Sequence, residues 1–134
     1  MKNIREDKGY TYGISSGILS LQHGGFFYIS TEVGSDVTKN ALAEIYKEIQ
    51  LLQTKKISNE ELDLVRNYLM GKILKSCDGP FNMAEMFENV YFYGLDYDFY
   101  NRYIHKIKTI TPEDLISLAN KYLVDLKETV VGKL

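Results

Sequence analysis

From Tyr10 to Leu21 the chain alternates. Tyr10, Tyr12, Ile14, Ser16, Ile18 and Ser20 fall on one face, and Thr11, Gly13, Ser15, Gly17, Leu19 and Leu21 on the other. A period of two predicts a strand. The second face is small in its middle, which predicts close approach of a helix there. Gln22-His23-Gly24-Gly25 reads as a turn, its two glycines offering the positive φ that tight hairpins use. Residues 26–33 read as the return strand, with Phe27, Ile29 and Val33 on one face and Tyr28, Ser30 and Glu32 on the other.

The period then changes. Gly34-Ser35-Asp36 breaks the strand and caps a helix over 36–54, where Val37, Ala41, Ile45, Ile49 and Leu52 recur at helical spacing. Ser58-Asn59-Glu60-Glu61 is a capping box that opens a second helix, to about Ser76. Asp78-Gly79-Pro80 ends that run. A third helix is expected over 81–93, stopped by Gly94, and a fourth, rich in tyrosine, over 96–108. Thr111-Pro112-Glu113-Asp114 places a cap residue before proline at the first helical position, starting a fifth helix that ends near Tyr122. Residues 128–133, centred on Val130 and Val131, read as a final strand. The order β-β-α-α-α-α-α-β is that of an α+β fold, an antiparallel sheet covered on one face by helices.

Residues 1–8 read as the last turns of a helix, which Gly9 ends by taking the left-handed conformation. Eight residues are a marginal helix alone, and no cap precedes them. The expectation is a helix that begins further upstream, with a frayed natural N-terminus as the plain alternative, and a chain of 134 residues is one domain at most.

Composition narrows the function classes. With 45% hydrophobic and 25% charged residues the chain has the make-up of a soluble globular protein. A formal net charge of -2 gives no reason to expect nucleic acid or an acidic membrane as partner. Cys77 is the only cysteine, which rules out an internal disulfide. No apolar run reaches membrane-spanning length, and Met1 to Asp7 lacks the apolar core of a secretion signal. These features do not fix the compartment, which stays open between cytoplasmic and periplasmic.

The chemistry-bearing residues are few. His23 sits in a glycine turn and reads as solvated. His105 lies among Tyr103, Ile104 and Ile107 and reads as a partly buried packing residue. Neither has a partner at metal-ligand spacing, and a catalytic zinc needs three protein ligands and an open position. Cys77 has no histidine near it in sequence. The pairs Glu60-Glu61 and Glu113-Asp114 sit in first helical turns, where the helix dipole accounts for them. The stretch Gly24 to Ile29 could add an extended peptide at a sheet edge, but ordinary core packing is the favoured account of it and no substrate contact is assigned there.

One stretch remains. Ile4-Arg5-Glu6-Asp7-Lys8-Gly9-Tyr10-Thr11-Tyr12-Gly13 puts a cation and a phenol seven residues apart at a helix-to-strand junction. By pattern alone, Arg5 could simply pair with a surface carboxylate, and Tyr12 is one of 11 tyrosines. The stretch resembles the second half of insulinase-like (pitrilysin-type) zinc metallopeptidases, where arginine, lysine-glycine and tyrosine run into a small-residue strand. The resemblance continues through Tyr93-Gly94-Leu95-Asp96, Tyr97-Asp98-Phe99-Tyr100, Thr111-Pro112-Glu113-Asp114-Leu115 and Val130-Val131-Gly132-Lys133, in the family's usual order.

The resemblance implies the latter part of a larger metallopeptidase-like domain, in the half that lacks the metal. The family's inverted His-x-x-Glu-His zinc motif is absent from this sequence. The resemblance then implies that zinc, its ligands and the general base come from the other half, in the same polypeptide or a partner subunit. Arg5 and Tyr12 would face that zinc site across a closed chamber and hold the substrate carbonyl and its oxyanion. The partners implied are the zinc-bearing half and a peptide substrate. The parent would be a zinc metalloendopeptidase, and this chain alone inactive. A truncated sheet would also leave an edge through which the chain associates with itself. The alternative is a non-catalytic interaction or scaffold subunit with a degenerate peptidase fold. A free-standing small α+β domain is the third reading.

Overall fold

The computed structural model describes residues 2–132, which fall into two compact units, residues 2–55 with 118–132 and residues 56–117. The first unit carries the hairpin. Strands β1 (Ile14–Leu21) and β2 (Gly24–Thr31) pair antiparallel, from Leu21 opposite Gly24 to Ile14 opposite Thr31. The turn is therefore Gln22-His23, and both glycines belong to β2. Neither has a positive φ, so they do not act as the turn residues expected. Ile29, Thr31 and Val33 are less exposed than the residues between them, as the alternation predicts. Close approach of a helix to the small face of β1 is not seen among the described residues, where Gly13, Ser15 and Leu19 are exposed. The aromatic ring of Tyr28, directly opposite Gly17, fills that space instead.

A six-residue π-helix, Lys2–Asp7, precedes the hairpin. Helix α1 (Thr38–Thr54) follows it. Its N-cap is Val37, without a side-chain cap; the Thr38 hydroxyl instead donates to Gly34 O at 3.1 Å. Ile4 on the π-helix, Ala41 and Ile49 on α1, and Ala119 form the buried apolar set of this unit. Towards its tip the hairpin is uncovered: Ile18, Leu19, Leu21, Phe26, Phe27 and Tyr28 are all exposed.

The predicted last strand does not form within the described residues; its final position, Lys133, lies outside them. Residues 128–131 make no ladder. The Tyr46 hydroxyl bonds the Glu128 carboxylate, which ties the segment to α1 and raises the Tyr46 pKa. Thr129 to Val131 then line a cavity of about 450 Å³ with Ile29 and Thr31 of β2 and Leu42 of α1. Strands must come within ~4.8 Å of each other to pair, and the segment faces β2 across that cavity.

The second unit is helical. Helix α2 (Asn59–Ser76) packs against α3 (Pro80–Tyr91) and α4 (Asp98–Thr109). The Ser58 side chain accepts from Glu61 N, so the expected cap is present. Leu62, Val90 and Ile107 are the buried residues. Two tyrosines at the start of α4, its N-cap Tyr97 and Tyr100, bond back to α3: Tyr97 Oη to Met83 O at 3.3 Å and Tyr100 Oη to Met86 O at 2.7 Å. Burial raises the Tyr100 pKa. Helix α5 (Pro112–Tyr122) opens on a reciprocal box, with Thr111 N donating to Asp114 Oδ2 at 3.0 Å and Asp114 N to Thr111 Oγ1 at 3.1 Å. His105 is exposed on α4 rather than packed, because the helix turns Ile107 inward instead. The α+β class expected from the sequence is the one observed. Among the described residues no helix is long and apolar enough to cross a membrane.

Candidate functional site

The junction between the π-helix and β1 is built by three sets of contacts. First, the π-helix is pinned to α1. Asn3 Nδ2 donates to Glu44 Oε2 at 2.8 Å and to Glu48 Oε1 at 2.6 Å, and Lys8 Nζ lies 3.9 Å from Glu44 Oε1. The Asn3 hydrogen bond, with the charges of Lys47 and Lys8, lowers the Glu44 pKa from its ordinary 4.5, against the opposing effect of burial. Second, Gly9 has φ +65°. That left-handed residue turns the chain so that Tyr10 N donates back to Ile4 O at 3.0 Å, satisfying a terminal carbonyl. Third, Thr11 is buried and its hydroxyl ties the incoming chain to the end of β2, with Glu32 O at 2.7 Å.

Between these fixed points lies an open cavity of about 520 Å³. Arg5 enters it from the π-helix, Tyr10 and Tyr12 from the segment before β1, and Glu32 from just beyond β2. That volume falls within the range of small-molecule pockets, ~300–1,000 Å³. The structure thus brings Arg5 and Tyr12 to one concavity. It also moves Tyr12 out of the predicted strand: β1 starts at Ile14, and Tyr12 is 99% exposed. Ile14 and Ile18 share its alternation, yet Tyr12 takes no part in a core.

Glu32 and Thr11 were not legible as members of this site. A signal for them exists in the register. Once Leu21 is opposite Gly24, continuing the pairing places Gly13 level with Glu32 and Tyr12 level with Val33. The chain at Glu32 and Val33 therefore comes alongside the Tyr12 segment as a consequence of turn length.

A guanidinium offers only hydrogen-bond donors, and a phenol can donate through its hydroxyl. Together over an open cavity they suit an oxygen that carries negative charge. Among the described residues no three of His, Cys, Asp and Glu converge as a metal-ligand set, so these residues do not supply the three protein ligands that a catalytic zinc needs. His23 stands exposed in the turn, and Cys77 is exposed at the end of α2, its Sγ 3.6 Å from Met86 Sδ.

The succession of elements, a hairpin followed by helices, is that of a known α+β fold. A crystal structure of a peptidase M16 inactive domain from Pseudomonas fluorescens superposes with a TM-score of 0.78 at 22% identity, covering 91% of this chain and 29% of that one. At that identity the likeness speaks for the fold, and the chain spans under a third of its relative's length. The family model described as the peptidase M16 inactive domain matches residues 1–69, which include the whole of the junction. The chain belongs to that family, as its resemblance to the metal-free half of insulinase-like peptidases implies. No curated protein matches it.

Proposed function

We propose that this chain serves the metal-free half of an M16 zinc metalloendopeptidase, and that Arg5 and Tyr12 hold the carbonyl oxygen of the peptide bond being cleaved. The observation that carries the reading is their convergence on one open cavity, with Tyr12 99% exposed. Hydrolysis develops negative charge on that oxygen, and preorganised donors stabilise it more strongly in the transition state than in the substrate. In this reading the zinc, its ligands and the attacking water come from the other half of the peptidase, and the isolated chain is inactive.

The test is Tyr12→Phe in the peptidase formed by this chain with its zinc-bearing half. Loss of one such donor is expected to lower kcat by ~10²–10³-fold, with KM little changed. Unaltered turnover would overturn the reading. The runner-up, an assembly subunit without proteolytic work, is favoured by the uncovered apolar hairpin tip. It predicts a complex with no dependence of any peptidase activity on Arg5 or Tyr12.

A further inference from the structure

Thr11 and Tyr12 are neighbours with opposite environments. Thr11 is 9% exposed, the one buried polar residue among those described, and Tyr12 is 99% exposed. A buried hydroxyl beside an unsupported phenol calls for an account of what it holds.

The hydroxyl of Thr11 is the centre of a closed set of bonds. It lies 2.7 Å from Glu32 O and 2.8 Å from Gly13 O, and it accepts from Gly13 N at 3.0 Å. The Thr31 hydroxyl lies 3.0 Å from it and also 3.0 Å from Gly13 O. One proton per hydroxyl is enough: Thr11 donates to Glu32 O, and Thr31 to Gly13 O or to Thr11 Oγ1. The hairpin ladder ends at Ile14 opposite Thr31. Beyond that rung these side-chain bonds do what the ladder no longer does. They hold residues 11 and 13 against residues 31 and 32, and so fix the main chain on both sides of Tyr12.

We infer that Thr11 is a positioning residue for Tyr12: its hydroxyl brackets the Tyr12 backbone and thereby holds the phenol over the cavity that Arg5 enters. The inference rests on the proposed role of Arg5 and Tyr12. It adds that the phenol owes its placement to one buried hydroxyl rather than to packing, since an exposed ring has no core to locate it. Arg5 is placed independently, by the Asn3 contacts and the turn at Gly9. Thr11 itself touches no substrate.

Thr11→Val keeps the shape of the side chain and removes the hydroxyl, leaving Gly13 N–H and Glu32 O without their partner. Two readouts separate this inference from the reading it rests on. The first is the backbone order of Tyr12 and Gly13 by NMR relaxation on the full chain. Thr11→Val is expected to take both from rigid values near ~0.85 to below ~0.6, Thr11→Ser to restore them, and residues of α1 to stay as they were. Unchanged order in Thr11→Val overturns the positioning role, whatever the activity shows. The second readout is turnover in the peptidase assembled with its zinc-bearing half. Thr11→Val should lower kcat by about tenfold or more with KM within about threefold, as misplacement of a reacting group does, and Thr11→Ser should recover it. In a Tyr12→Phe background Thr11→Val should cost nothing further. Equal losses in both backgrounds would mean that Thr11 acts otherwise than through Tyr12, and the inference fails. If Tyr12→Phe itself is silent while Thr11→Val disorders Tyr12, the positioning stands and the oxyanion reading falls. Should Thr11→Val unfold the chain, Thr31→Val removes one bond to the same hydroxyl and is expected to shift both readouts the same way, by less. A Thr31→Val chain with unaltered Tyr12 order and turnover would then count against the inference.

Discussion

Tyr28 lies across Gly17. A Cβ built on Gly17 would stand 3.0 Å from the Tyr28 hydroxyl oxygen and 3.1 Å from its ring carbons. The ring covers the bare backbone of its cross-strand partner, which makes glycine the residue that fits. Gly25 is tighter and harder: its Cβ would lie 2.8 Å from Leu19 O, a backbone atom held in the ladder. A ring at the sheet surface can swing aside, and a paired carbonyl cannot. Gly25→Ala is therefore expected to cost about 1–3 kcal/mol and Gly17→Ala less than about 1 kcal/mol. Urea unfolding of the two variants checks the order, and a larger loss for Gly17→Ala would contradict it.

How much of this was readable follows from what each element depends on. The openings of α2 and α5 were legible because Ser58 with Glu61, and Thr111 with Asp114, act within one turn. The hairpin was legible because alternation is local. Its end was not: β1 begins at Ile14 because the Thr11 hydroxyl takes over from the ladder, and that depends on Thr31 and Glu32, some twenty residues away. The first helix is a π-helix docked through Asn3 to Glu44 and Glu48, partners that no window around residues 2–7 contains. The segment 128–131 has the composition of a strand, but strand formation needs a neighbour within bonding distance, and composition does not supply one. Arg5 and Tyr12 were named through family motifs; their shared cavity depends on Gly9, a turn the sequence did announce.

Arg66 on α2 closes the end of α4. Its Nε donates to Ile107 O at 3.2 Å, and its guanidinium also bonds Ile110 O. Helix C-terminal carbonyls need such partners. Arg66→Met keeps the aliphatic stem and leaves both carbonyls to find water, so a loss of about 1–3 kcal/mol is expected. Asp63, 2.7 Å from Arg66 Nη1, is itself well exposed. Asp63→Asn should cost under about 0.5 kcal/mol, as surface pairs do. Thermal unfolding of the two variants separates the roles. Equal losses would mean that the ion pair, not the capping, is what Arg66 supplies.

Glu44 makes the seat of the π-helix sensitive to acid. Its pKa is lowered from 4.5, chiefly by the Asn3 hydrogen bond. A folded-state pKa below the unfolded one means that the stabilisation is complete above about pH 4.5 and is lost as pH falls through the folded value. The expected result is that protonation loosens the π-helix and speeds exchange of the Tyr10 amide, whose acceptor is Ile4 O. Asn3→Ala should raise the Glu44 titration midpoint towards 4.5 and move that loosening to higher pH. Carboxyl chemical shifts followed from pH 6 to pH 2 provide the check; a midpoint unmoved by Asn3→Ala would assign the lowering to the lysines instead.

The hairpin is proposed to join a second copy of the chain. Neither Ile14–Leu21 nor Gly24–Thr31 contains a charged residue or a proline. Exposed edges in monomeric proteins are usually guarded by one or the other, and here the side chains near the tip, Ile18, Leu19, Leu21, Phe26 and Phe27, are exposed as well. A twofold contact sets the same strand against itself, so one introduced charge meets its own copy. Phe26→Lys should therefore abolish association while leaving the fold intact, since Phe26 is 53% exposed and contributes little to the core. Sedimentation velocity over a range of concentrations should give a dimer for the natural sequence and a monomer for Phe26→Lys, with matching far-ultraviolet spectra. A natural chain that stays monomeric throughout would mean that the uncharged hairpin is not a self-association surface, and a dimer that survives Phe26→Lys would place the contact elsewhere.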